Sequence, residues 1–270
     1  MDALRDDTFR KITGLMYESI GLSFADSKKP LVSSRLASRV QRLGMSAFEE
    51  YLALIASDND GGEFQMAVDL LTTNETYFFR EPAHFEILTT ELARLKGQPL
   101  SVWSAASSFG DEAYSVAMLM ADMQQQGRIG NVWSILGTDI SDRVLRSASE
   151  AIYPEERLRE VSPERLRRYC LRGEGPSAGL VQISPKLTEH VRFGQLNLCQ
   201  PIEDIGPFDV IFLRNVLIYF DAQTKRDVVD RVLTQLRPGG LLFLGTAEGR
   251  VPCNTPLQTI APGAFRKVAA

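Results

Sequence analysis

LSVWSAASSFGDEAYS, residues 100–115, reads as a short apolar strand, a loop of small residues and the opening of a helix. LSVW has the length and bulk of a buried strand, and a helical pattern starts at about Glu112. Related units recur downstream. VWSILGTDI (132–140) is followed by SDRVLRSA, FDVIFLRN (208–215) by a helix expected over Ala222–Leu236, and VRFGQLNL (191–198) and GGLLFLGT (239–246) add two further apolar runs. Strands alternating with helices at this spacing imply an α/β fold with a mostly parallel, doubly wound sheet.

Toward the N-terminus the period changes. From Thr8 to Leu71 apolar residues recur at helical spacing, as in Phe9, Ile12, Leu15 and Met16, with interruptions at Gly21, Gly44 and Gly61-Gly62. This predicts a small helical domain. LLTTNETYFFRE (Leu70–Glu81) lies where that domain gives way to the α/β pattern, and binding sites favour such junctions. Pro82 suits the first turn of a helix over Ala83–Leu95. GEGPSAGLVQISPKLTEHVRF (173–193) breaks the rhythm and reads as an antiparallel excursion. The expected division is therefore residues 1–80 for the helical domain and its linker, 81–270 for the α/β domain, and 173–195 for a small inserted β-subdomain.

The 270 residues are 44% hydrophobic, enough for a large core and two domains. A net charge of −4 disfavours a general nucleic-acid binder, which would want a basic domain to neutralise phosphates. No run of about 18 apolar residues exists and the start MDALRDDTFR is polar, so a cytoplasmic protein without membrane insertion is expected. Cys170, Cys199 and Cys253 are odd in number and scattered, which argues against a disulfide framework or a metal site. A monomer is the default expectation.

In an open parallel sheet, ligands bind beyond the carboxyl ends of the strands. After LSVW, Gly110 lets backbone approach a ligand and Glu112 can meet a cationic amino group. After VWSILG, Asp139 is placed to accept both hydroxyls of a ribose, although an aspartate there also serves as a helix cap. The fingerprint G-x-G-x-x-G is absent, which disfavours a nicotinamide-dependent oxidoreductase. S-adenosylmethionine offers both a ribose and an ammonium. Arg237-Pro238-Gly239-Gly240 before LLFLG looks like the turn before the fifth strand of class I methyltransferases.

Four segments, TTNETYFFRE (Thr72–Glu81), SAASSFGDEAYS (Ser104–Ser115), GTDIS (Gly137–Ser141) and FLRNVLIYF (Phe212–Phe220), resemble the CheR family of chemotaxis receptor methyltransferases, and the similarity covers essentially the whole chain. The resemblance implies a helical N-terminal domain, a class I S-adenosylmethionine-dependent methyltransferase domain and a β-subdomain that contacts the receptor. It implies cofactor contacts from Asn74, Thr76, Arg80, Glu112 and Asp139, with Asn197 and Leu198 at the adenine and Arg214 and Asn215 lining the pocket. Arg80 and Tyr219 would face the transferred methyl group. The first loop departs from the usual S-A-G-C-S-T-G-E-E-P-Y-S at Ala106, Ser107, Phe109, Asp111 and Ala113, and Ala106 is tolerable there only with a negative φ.

The residues suit such a reaction. Only His84 and His190 are present, and no serine or cysteine has an evident base. A glutamate acceptor, with a pKa of about 4.3, is already an anion at neutral pH and needs none. Arg80 can grip a carboxylate and Tyr219 offers a ring near a cationic sulfur; the plainer readings are an Arg80–Glu81 surface pair and a core aromatic.

Between Ser27 and Phe48 stand Lys28, Lys29, Arg35, Arg39 and Arg42 without an acidic residue. On a helix, Arg35, Arg39 and Arg42 share an arc of about 60° opposite Leu36, Val40 and Leu43. Such a stripe could steer acidic chemoreceptor helices onto the site. The competing reading is a non-catalytic S-adenosylmethionine-binding signalling module, motivated by the unusual first loop.

Overall fold

In the computed structural model, which describes residues 2–58, 61–95 and 97–268, the chain forms a helical domain packed against an α/β domain. The first contains α1 (Asp6–Ile20), α2 (Lys29–Arg42), α3 (Phe48–Ala56) and α4 (Gly62–Leu71). Their apolar stripes meet in a core that includes Ile12, Met16, Leu36, Val40, Tyr51 and Leu71. Leu43, expected on that buried face, is 37% exposed because α2 ends at Arg42 and the chain turns at Gly44.

The α/β domain begins with α5 (Pro82–Leu92), β1 (Leu100–Ser104), α6 (Asp111–Gln125), β2 (Trp133–Asp139) and α7 (Asp142–Glu150). It continues through β3 (Ile152–Pro154), α8 (Pro163–Tyr169), β4 (Cys170–Arg172), β5 (Leu180–Ile183), α9 (Pro185–Thr188) and β6 (Val191–Gln195). It closes with β7 (Phe208–Leu213), α10 (Ala222–Thr234), β8 (Leu236–Leu244), β9 (Leu257–Ala261) and β10 (Ala264–Lys267).

Seven strands form one sheet in the order β6-β2-β1-β7-β8-β10-β9. The first five are parallel, and β10 pairs antiparallel with both β8 and β9. Alternation within β1 shows how both faces are filled. Val102 joins Phe212, Phe243, Val116 and Met120 on one side, and Trp103 joins Ile211, Leu242, Val228 and Val232 on the other. Because β1 lies between β2 and β7, the chain reverses direction of growth there, and a ligand crevice opens beyond Ser104.

Two expectations are corrected. The three-stranded antiparallel sheet is β3-β5-β4, so the insert draws on residues 152–183, while Val191–Gln195, assigned to an insert over 173–195, is an edge strand of the main sheet paired with β2. Strands of three residues are too short to show a period, which is why the sequence concealed β3 and β4. The Arg237–Gly240 turn lies inside β8 as an irregularity. Phe208 pairs with Leu236 and Val210 with Leu241, so β8 advances five residues while β7 advances two. Pro238 has no N–H to pair, and Gly239 takes φ +80°.

The two domains meet along a polar seam beyond α1. Tyr17 donates to Asp221 (2.5 Å), Asn197 Nδ2 to Ser19 O (2.7 Å) and Ser23 N to Tyr219 O (3.0 Å). Gly21, at φ +71°, lets the end of α1 close on the loop after β6: a Cβ there would lie 2.5 Å from Cys199 Sγ.

Candidate active site

A cleft enclosing about 1030 Å³, its open mouth included, lies at the carboxyl ends of β1, β2, β6 and β7 and against the helical domain. Asn74, Thr76, Arg80, Glu112, Asp139, Asn197, Leu198, Arg214, Asn215 and Tyr219 all line it. Long sequence separations collapse here because four strand ends and the Leu70–Glu81 linker converge on one point.

Arg214 forms the electrostatic centre. Its side chain is 3% exposed and its Nη1 lies 2.9 Å from Glu112 Oε2, while Nη2 reaches Arg80 O at 2.5 Å and Glu81 Oε2 at 3.5 Å. Glu112 also accepts from Ser104 Oγ at 2.7 Å. Burial pushes the Glu112 carboxyl up, against the pull of Arg214 and the Ser104 hydroxyl. Burial also raises Glu81, but Arg214 and the Thr246 N–H outweigh it, leaving that carboxyl below its ordinary value. An ammonium arriving beside Glu112 would add a second cation to a carboxylate already half-neutralised.

Asp139 accepts from Ser108 N (2.9 Å) through one oxygen and from Ser141 N (3.0 Å) through the other. Burial raises its carboxyl, and these backbone bonds hold it down. Each oxygen keeps a free lone pair, so two vicinal hydroxyls can still be accepted. Asn197 is committed differently: its amide spans Ser19 O and Cys199 N, so it holds the loop after β6 against α1.

The first loop adopts its shape without the glycine it lacks. Ala106 avoids the left-handed region, and Ser108 takes it instead at φ +50°. Phe79, Glu81 and Asn215 are also left-handed, at φ +56°, +59° and +59°. Four such non-glycine residues in site-bearing segments mark backbone that the surrounding fold over-determines. Ser107 Oγ is buried in the cleft wall without a hydrogen-bond partner among the described residues, which fits a polar ligand.

Near the mouth, Arg80 makes no ion pair with Glu81. Its Nη1 donates to Glu75 O at 2.9 Å and its guanidinium lies 5.9 Å from the Tyr77 ring centroid. Tyr219 Oη sits 3.5 Å from Thr73 O. Residues that the sequence did not single out also form the cleft, among them Ile20 and Leu22 from the helical domain and Phe220 beyond β7. Their apolar character reads as core until the domains are brought together.

Comparison with known proteins accounts for both domains. Residues 7–72 match the family described as CheR methyltransferase, all-alpha domain, and residues 74–261 match CheR methyltransferase, SAM binding domain. The chain belongs to the CheR methyltransferase family. A chemotaxis protein methyltransferase of Escherichia coli is 42% identical over 247 residues, covering 91% of this chain and 85% of that one. Chemotaxis protein methyltransferase 2 of Pseudomonas aeruginosa is 40% identical over 260 residues, covering 95% and 91%. The family fixes S-adenosylmethionine as the cofactor of the CheR cleft, and Glu112, Asp139 and the Ser107 hydroxyl suit it. The boundary between the two family domains, at residues 72–74, falls within the 70–81 linker.

The basic stripe on α2 is less free than its sequence suggests. Arg39 is paired with Glu63 on α4 (Nη2–Oε2 2.5 Å), and Arg35 donates to Leu71 O and Thr73 Oγ1, both at 2.7 Å. A helical wheel sees one element only, so it missed these partners. Arg42 is exposed and has no ion pair among the described residues.

Proposed function

We propose that this CheR protein transfers the methyl group of S-adenosylmethionine to glutamate side chains on the cytoplasmic helices of chemoreceptors, forming glutamate methyl esters. The observation that carries the reading is the convergence of a buried Glu112–Arg214 pair and Asp139 on one cleft with Arg80 and Tyr219 at its mouth. Bound S-adenosylmethionine supplies an electrophilic methyl on a cationic sulfur. Glu112 receives its amino acid end and Asp139 its ribose, while Arg80 and Tyr219 hold the acceptor carboxylate in line. The acceptor is already anionic at neutral pH, so the protein contributes alignment and exclusion of water rather than a base.

The test uses methyl-labelled S-adenosylmethionine and receptor-containing membranes. Wild type should produce base-labile label that leaves as methanol, and Arg80→Ala should lose about 100-fold in rate, the scale expected of a misaligned acceptor. Base-stable label, or none from a range of receptors, would overturn the glutamate reading. No helix among the described residues is long and apolar enough to cross a membrane, consistent with recruitment to receptor arrays from solution.

Docking by the α2 face is part of the same reading, with Arg42 as its free cation. Arg42→Glu should raise KM for receptor about threefold, with unchanged kcat and cofactor affinity and a weaker dependence on salt. KM values indifferent to both the substitution and salt would remove α2 from the docking surface. Arg39→Glu is the wrong probe, because it would set two carboxylates against each other between α2 and α4.

A further inference from the structure

The loop after β7 carries Arg214, Asn215 and Tyr219 into the cleft. Arg214 has its own anchors, but the segment beyond it closes on itself only at its far end, where Tyr219 N donates to Val216 O and Phe220 N to Leu217 O, both at 3.1 Å. Asn215 is left-handed at φ +59°, and Leu217–Tyr219 is a single helical turn whose leading N–H groups have no internal acceptor. Both needs are met from outside the cleft by one carboxylate on the loop after β8. Glu248 Oε2 accepts from Asn215 N (2.9 Å) and Gly245 N (2.7 Å), and Oε1 accepts from Leu217 N (2.7 Å).

A second observation supports the arrangement. Gly245 has no side chain where one would intrude: a Cβ there would lie 2.7 Å from Asn215 Nδ2 and 2.8 Å from Glu248 Oε2. Its backbone is not left-handed, so space rather than φ makes the absence of a side chain matter. Glu248 does not itself line the cleft and reaches it only through the backbone of Asn215.

The geometry points to Glu248 as a positioning residue for methyl transfer, which fixes the turn bearing Tyr219 by satisfying the backbone of Asn215 and Leu217 through the gap left at Gly245. The inference deepens the reading of the cleft as a transfer site and rests on it for the kinetic part of its test. Glu248→Gln sets an amide N–H against a backbone donor, and Gly245→Ala wedges the two loops apart.

Both variants should lower kcat about 10- to 100-fold, the scale of a small misplacement near the reacting atoms. Cofactor Kd by calorimetry should stay within roughly threefold, because Arg214 keeps Glu112, Glu81 and Arg80 O. Combined with Tyr219→Phe, Glu248→Gln should cost little more than either change alone. Independently of turnover, 3-fluorotyrosine placed at position 219 should give a fluorine resonance that shifts or broadens in Glu248→Gln. An unmoved resonance overturns the inference, as does full additivity with Tyr219→Phe or a fall in cofactor affinity that matches the fall in kcat. If wild type methylates no receptor, the transfer reading fails while the fluorine signal still decides the role of Glu248.

Discussion

Arg214→Met should destabilise the protein by about 3–5 kcal/mol and abolish measurable cofactor binding in the folded remainder. The substitution keeps much of the apolar stem but strips two carboxylates of their buried partner. Glu112 would retain only Ser104 Oγ, and Glu81 would keep Thr246 N and the distant Asn215 amide. Arg214 also ties the Arg80 carbonyl to β7, so the linker bearing Asn74 and Thr76 would lose a fixed point.

The pH dependence gives the prediction its sign. Burial already holds the folded Glu112 pKa above its unfolded value, and removing Arg214 raises it further. A carboxyl whose folded pKa is raised favours the folded state while protonated, and that support is lost as pH rises from about 4.3 through the folded pKa. The deficit against wild type, read by chemical denaturation, should therefore be larger at pH 7.5 than at pH 5. An equal deficit at both values would show that Glu112 does not carry the cost.

Asp139→Ala is the second large effect; it removes the acceptor of two buried backbone N–H groups, and its largest expression is on the cofactor. The carboxylate orients the first loop through Ser108 N and the start of α7 through Ser141 N, and in the proposed reading its remaining lone pairs receive the ribose. Charge-assisted hydrogen bonds contribute about 1.5–3 kcal/mol each, so losing those to a ribose should raise Kd for S-adenosylmethionine about 100-fold or more. Asp139→Asn should be intermediate, because its amide N–H must face one of two backbone donors. Calorimetry on the purified protein reads both. An affinity unchanged in Asp139→Ala would mean that Asp139 only shapes the loop.

The sheet was legible because β1, β2 and β7 are largely apolar runs, and Glu112, Asp139 and Arg214 stand at or shortly after their carboxyl ends. The insert was less legible, since three-residue strands embedded among Arg and Glu carry no periodic signal. Contacts that join elements were invisible for a different reason. Nothing in the α2 pattern tells that Glu63 answers Arg39, and nothing in GTAEG tells that Glu248 bonds a loop more than 30 residues earlier. Sequence reading found residues that line the cleft and overlooked the groups that hold them in place, because the latter depend on which loops end up adjacent.

The seam between the helical domain and the α/β domain bears on how such a protein can be recombined. Tyr17, Ser19, Gly21 and Ser23 on one side engage Asp221, Asn197, Cys199 and Tyr219 on the other, and several of those partners stand in or beside the cleft. The helical domain is thus not an interchangeable cassette for redirecting the enzyme to new receptors. A chimera that exchanges it at residue 72 severs matched pairs on both sides, so the smallest unit that can be transplanted intact includes the loops after β6 and β7 together with the end of α1.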